Sequence, residues 1–174
     1  MKILTALVLI LSLRGHAQTD WPSTGHDNQA QRYSPLKQID VHNVAKLAPA
    51  WTFRLQDEGN ATGSRTIESV PLVVNGRMYV SWPFCHVAAL DPDTGRQLWK
   101  QETESYMWGS TLVADGKVYI GDKTGTLWIL AAGREKKVLN KIKFDAPFCQ
   151  TPVVADGVLY ICTEERLYAI PCAR

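Results

Sequence analysis

Three stretches of the chain repeat one pattern of apolar and polar positions: PLVVNGRMYV from Pro71, TLVADGKVYI from Thr111 and PVVADGVLYI from Pro152. Each is an apolar run, an Asn-Gly or Asp-Gly pair, and a second run rich in β-branched and aromatic residues. Those dipeptides accept positive φ at both turn centres, as a two-residue hairpin matched to strand twist demands. Gly76, Gly116 and Gly157 correspond, as do Tyr79, Tyr119 and Tyr160, and the glycines are spaced by 40 and then 41 residues. A third run follows in every unit, HVAAL, TLWIL and RLYAI, ending at Leu90, Leu130 and Ile170. A fourth follows in the first two, GRQLWKQE and KVLNKIKFD.

Four short antiparallel strands in about forty residues describe one blade of a β-propeller. Helical and leucine-rich repeats need a helical period that these units lack, and a single β-sandwich gives no reason for a strict repeat. The expected fold is therefore all-β, a propeller of four-stranded antiparallel blades, with blades near 66–104, 107–145 and 148–171. Three blades fall below the roughly four to eight of ordinary propellers, so the ring is expected to be incomplete or completed by oligomerisation. The segment AWTFRL, residues 50–55, matches QLWKQE in position and character, and is expected to supply the fourth strand of the third blade.

Ahead of the repeats, residues 18–49 read as an arm lying over the propeller. Pro22, Gly25 and Pro35 keep most of it irregular. Asp40 is placed to cap a short helix over 41–47, with Val41, Val44 and Leu47 on one face, and Pro49 ends it. Residues 1–17 carry Lys2, an apolar run from Ile3 to Leu13 and small residues before Ala17. That is the pattern of a secretory signal peptide, and the run is too short to span a bilayer. No other apolar stretch is long enough to cross a membrane. The expected location is secreted or periplasmic.

The first 17 residues hold two of the 19 basic residues and none of the 17 acidic ones, so the remainder is balanced. A neutral chain offers no electrostatic footprint for nucleic acid or an anionic membrane. The basic stretch Gly133 to Lys143 reads as a strand edge whose lysines discourage sheet pairing. Cys85, Cys149, Cys162 and Cys172 permit disulfides in an oxidising compartment but contain no CxxC pair. Their pairing stays open: Cys149 with Cys162 is an awkward diagonal, and Cys85 with Cys172 is a bare alternative. His26, His42 and His86 lack ligand spacing and are expected at the surface.

Two further motifs carry a resemblance. ALDPDTGRQLW, Ala89 to Trp99, has Ala89, Asp91, Thr94, Gly95 and Trp99 at the spacing of the tryptophan-docking motif of quinoprotein dehydrogenases, which are eight-bladed propellers. Its physics is intelligible: Asp91 accepts turn amides, Gly95 supplies positive φ and Trp99 packs flat between blades. The second unit keeps only ILAAGREKKVL. DWPSTGHDNQAQRYSPLKQIDVHNVAKLAPAWTFR likewise resembles the opening of quinoprotein alcohol dehydrogenases. From Met107 to Pro171 the likeness loosens to that of propellers with such repeats generally, non-catalytic ones included.

The resemblance implies pyrroloquinoline quinone with calcium as cofactor, and a quinone-ligand role for Glu68, which precedes PLVV. The same family takes adjacent paired cysteines, calcium ligands and a catalytic aspartate from later blades; this sequence has no Cys-Cys pair. By repeat register, position 68 corresponds to Trp108 and Cys149, each just upstream of an innermost strand. A rim of Glu68, Trp108 and Cys149, with Arg65 and Gln150 nearby, would hold an aromatic anion by stacking and hydrogen bonds.

The function expected is a propeller module that binds or scaffolds without catalysing alone, its partner another protein or another copy, through open blade faces. The alternatives are a quinone-dependent alcohol or sugar dehydrogenase, and a remnant of one.

Overall fold

All three hairpin turns form as the Asn-Gly and Asp-Gly pairs predict. Asn75 and Gly76 have φ of 50° and 66°, Asp115 and Gly116 of 48° and 66°, Asp156 and Gly157 of 50° and 73°. The computed structural model describes residues 20–27, 29–55, 67–82 and 85–171; the signal-peptide segment, Thr66, Arg65 and Cys172 lie outside them.

The first blade comprises β1 (Leu72–Val74), β2 (Arg77–Trp82), β3 (His86–Leu90) and β4 (Gln97–Glu102). The second comprises β5 (Leu112–Ala114), β6 (Lys117–Gly121), β7 (Thr126–Ala131) and β8 (Val138–Lys143). The third has β9 (Val153–Ala155), β10 (Val158–Cys162) and β11 (Leu167–Pro171). Strands pair antiparallel in sequence order within each sheet, and β3 and β7 each carry a register irregularity at equivalent positions, Ala89/Leu90 and Ile129/Leu130. These are propeller blades with the meander order read from the sequence.

The core lies between the blades. Tyr79, Val87, Ala89 and Trp99 of blade 1 pack with Val118, Ile120, Trp128 and Leu130 of blade 2, and Met107 joins them from the connection. Tyr119 and Leu127 of blade 2 pack with Phe148, Leu159 and Ile161 toward blade 3. The chain therefore uses alternate residues of each strand for its two neighbours, as a period of two requires. Register between blades is set by hydrogen bonds that obey the repeat. The Val70 N–H donates to Ser110 Oγ (3.0 Å), and the Ser110 N–H donates to Thr151 Oγ1 (2.9 Å). Each bond contributes about 1 kcal/mol, against roughly 1.5–3 kcal/mol for each large side chain buried. Face packing holds the blades together and the hydroxyls fix their alignment.

The docking motif is tied in the same way. Asp91 Oδ1 accepts from the N–H groups of Asp93 and Thr94 and from the Thr94 hydroxyl. Trp99 stands opposite Ala89, is buried, and its indole N–H donates across to Gly133 O at 2.9 Å. Blade 2 has no such acid after β7, and anchors its β6–β7 loop on Asp122 instead. Asp122 is fully buried, and its carboxylate accepts from the Thr124 N–H, the Thr124 hydroxyl, the Thr126 N–H and the Trp128 indole.

Several expectations change. The 41–47 helix is reduced to a single 3-10 turn, Val44–Lys46. Asp40 does accept the His42 and Asn43 N–H groups, but Val41, Val44 and Leu47 are all exposed, and a helix this short needs a buried face to persist. His26 and His86 are buried, not surface residues: His26 lies against Trp21, and His86 begins β3 stacked on Trp82. The arm reaches back to blade 1, where Trp21 forms a bridge with Val73 and Asp20 accepts the Asn75 N–H.

Residues 51–55 do not pair with the third sheet, whose three strands have the order β11-β10-β9. They lie against blade 1: Phe53 meets Trp82 edge-on, and Phe53 and Leu55 pack on Val80, Ala88 and Leu90. The Trp51 indole donates to Pro92 O (3.0 Å). Gly95, at φ 69°, sits so close that a Cβ there would lie 2.4 Å from the Trp51 ring. The segment is thus held where a preceding blade would place its outer strand.

Replacing Asp122 by alanine leaves the buried Thr126 N–H and Trp128 indole N–H without their acceptor. The expected loss is about 3 kcal/mol of unfolding free energy, measured as a lower urea midpoint at unchanged slope.

Candidate functional site

The segments just upstream of β1, β5 and β9 and the loops β6–β7 and β10–β11 meet at one end of the blades. Trp108 is 61% exposed there. The Lys123 ammonium lies 5.1 Å from the Trp108 ring centre, within cation–π range. The same ammonium donates to Cys149 Sγ (3.2 Å) and to Glu164 Oε1 (2.6 Å). The Cys149 thiol in turn donates to Glu164 Oε1 at 3.1 Å. Trp108 and Cys149, paired by the repeat register, are thereby joined through Lys123.

Glu68 is not drawn into this cluster. It is exposed and has no hydrogen-bond or ion-pair partner among the described residues. Its neighbours Ser69 and Val70 are engaged, the Ser69 hydroxyl donating to Ser81 O. Gln150 is exposed beside Cys149, its backbone running along Gly109 so tightly that a Cβ on Gly109 would lie 2.8 Å from the Gln150 carbonyl carbon. Cys149 and Cys162 keep free thiols, so the diagonal bridge between them does not form.

Lys123 and Glu164 were not legible as site residues from motif spacing. The repeat contains the signal, because positions 123 and 164 stand 41 residues apart in equivalent loops. Carrying the register past the strands into those loops would have placed them together.

The ion pair sets the electrostatics. The hydrogen bond from Lys123, then that from Cys149, holds the Glu164 carboxyl below the usual carboxylate range. The hydrogen bond to Glu164 raises Lys123 above the usual ammonium value, against a smaller opposing effect of burial. With the cation neutralised by Glu164, the cluster offers an exposed indole face, a thiol and little net charge. It suits a planar molecule that stacks and takes a few hydrogen bonds. Among the described residues no three His, Cys, Asp or Glu side chains converge as metal ligands.

Pyrroloquinoline quinone, an aromatic tricarboxylate, tests these residues directly. Trp108 gives one stacking platform, but Lys123 over it is already bonded to Glu164, and Glu68 presents a carboxylate without a partner among the described residues. A calcium ion takes six to eight oxygens, which the described residues at this end of the blades do not assemble. These residues alone do not fit the quinone and its ion as a complete site.

Comparison with known proteins now places the chain. Residues 21–126 match the family described as glucose/ethanol/alcohol dehydrogenase, beta-propeller domain, and residues 83–170 match the family described as outer membrane protein assembly factor BamB. The chain belongs to the first of these, the PQQ-repeat β-propeller family of the quinoprotein dehydrogenases.

Among its relatives, quinohemoprotein alcohol dehydrogenase ADH-IIG of Pseudomonas putida is 40% identical over 62% of this chain and 16% of its own length. The 1-butanol dehydrogenase (cytochrome c) of Thauera butanivorans is 32% identical over 88% of this chain and 24% of its own. The solved structure of quinohemoprotein alcohol dehydrogenase from Comamonas testosteroni superposes with a TM-score of 0.70 at 30% identity, covering 83% of this chain and 23% of that one. BamB from Moraxella catarrhalis, with a TM-score of 0.52 at 21% identity over 59% of this chain and 32% of that one, shares the fold. The chain spans between about a sixth and a quarter of those two dehydrogenase relatives.

The pKa directions fix a pH window for the pair. Glu164, lowered on folding, adds stability above its unfolded pKa and loses it as pH falls through the folded value. Lys123, raised, adds stability below its unfolded pKa and loses it as pH rises through the folded value. Glu164→Gln should therefore lower the urea midpoint at neutral pH and flatten its decline on acidification. Parallel titrations of the two proteins from neutral to acid pH check this.

Proposed function

We propose that this chain is a secreted or periplasmic propeller module that binds or scaffolds, its partner another protein or another copy of itself, and is not a catalyst by itself. The observation that carries the reading is the free face of blade 3. Tyr79 and Tyr119 are buried, while the equivalent Tyr160 is exposed; Val87 and Leu127 are fully buried, while the equivalent Leu167 is 71% exposed. Val153 joins them on the same surface. An apolar sheet face with the composition of an inter-blade interface, left uncovered, is the mark of a protein-binding surface. The match of residues 83–170 to a family described as an assembly factor supports the same direction. Secretion rests on the apolar run and small residues of positions 1–17, and none of the described helices is long and apolar enough to cross a membrane.

A second reading is favoured by kinship with alcohol dehydrogenases and by the place of Glu68 before PLVV. In it the chain contributes to a quinone-dependent alcohol or sugar dehydrogenase, with Glu68 as a quinone ligand and Trp108 and Cys149 beside it.

Addition of the quinone and calcium separates the readings. The binding-module reading expects no quinone uptake by absorbance after gel filtration and no dye reduction across an alcohol panel. Dye reduction that disappears in Glu68→Gln would establish the dehydrogenase instead.

A further inference from the structure

Blade 3 lacks an outer strand among the described residues, and residues 51–55 are an extended segment without a sheet. Each has what the other needs. In blade 1, β3 pairs with β4, placing Val87 opposite Gln101 and Ala89 opposite Trp99. The repeat register turns those positions into Leu167 and Ala169 on β11. Trp51 matches Trp99 in its role: the Trp99 indole donates to Gly133 O on the following blade, and the Trp51 indole donates to Pro92 O on blade 1. Pairing β11 with residues 50–55 in this register sets Ala169 opposite Trp51 and Leu167 opposite Phe53. It turns all four toward the same neighbour, and that neighbour is the blade on which Phe53 already rests.

In one molecule the two edges stand at opposite ends of the three-blade array, with β11 on blade 3 and residues 51–55 on blade 1. We propose that residues 50–55 of one copy add to the free edge of β11 of a second copy as its fourth strand, so that blade 3 of one chain docks on blade 1 of the next. This deepens the binding-module reading and rests on it, naming the partner as a second copy of this chain.

Three observations carry the proposal. The exposed face of blade 3 repeats, position by position, the faces that blades 1 and 2 bury under a following blade. The hydroxyl ladder that runs Val70 to Ser110 to Thr151 stops with a Thr151 N–H that has no partner among the described residues. The accepting side is already shaped, since Trp51 is seated on Gly95 and Phe53 on Trp82 before any strand pairs with them. Strand addition at a free edge supplies backbone hydrogen bonds, and alternate side chains supply the specificity.

Light scattering on the full chain over a wide concentration range tests this. The expected result is a species of at least twice the chain mass. Leu167→Asp, at a site exposed in the single chain, should keep the circular dichroism melt and weaken association by about tenfold or more. Mixing Phe53→Cys with Leu167→Cys under mild oxidation should give one new disulfide-linked peptide pair, residue 53 with residue 167, found by mass spectrometry only in the mixture. Cross-strand partners lie about 4.5–5.5 Å apart at Cβ, close to disulfide reach. A chain that stays monomeric throughout, or an oligomer indifferent to Leu167→Asp, overturns the strand donation. A monomer that takes up no quinone overturns it alone, whereas quinone-dependent dye reduction overturns the binding-module reading.

Discussion

Everything in this protein depends on the face of one blade packing against the face of the next. No single blade buries enough apolar surface to persist: two sides of a four-stranded meander need two neighbours. Blade 2 has both, and its Val118, Ile120, Leu127 and Leu130 are fully buried. Blade 1 has blade 2 on one side and the 51–55 segment on the other. Among the described residues blade 3 has blade 2 alone, and the exposure of Tyr160 and Leu167, against their buried equivalents in blades 1 and 2, follows from that asymmetry.

The end of the blades where Trp108, Lys123, Cys149 and Glu164 meet is built by the same stacking. The loops that bear Lys123 and Glu164 belong to neighbouring blades, so their ion pair also clamps blade 2 to blade 3. Spending the lysine on Glu164 removes the charge that a polyanionic ligand would seek. Glu68 keeps the position that the family resemblance assigns to a ligand, but it is exposed and has no hydrogen-bond partner among the described residues. The site and the interface are thus one structure viewed from two directions.

Local chemistry was legible because it is decided within a few residues. Asn75-Gly76, Asp115-Gly116 and Asp156-Gly157 named their turns, and the alternation around them named the strands. Ala89, Asp91, Thr94, Gly95 and Trp99 spelled out a corner whose bonds are all present. Less local features escaped. The helix over 41–47 failed because its apolar face meets nothing, and no pattern in the segment itself reveals that. His86 and His26 read as polar residues, yet Trp82 and Trp21 cover them. Trp108 and Cys149 were readable as a pair, but the lysine that joins them was not, because it comes from a loop outside the motif.

Residues 50–55 mark the boundary most clearly. Their sequence fixes an extended segment with Trp51 and Phe53 on one face and Thr52 and Arg54 on the other, since that alternation is a property of the backbone. Which sheet the apolar face meets was settled only in three dimensions, where Gly95 leaves room for an indole and Trp82 offers a ring to cover. By itself the sequence determined the blade: its turns, its strands and its two-faced alternation. The tertiary structure decided which faces are covered, because burial depends on residues some forty positions away and on what stands beside them.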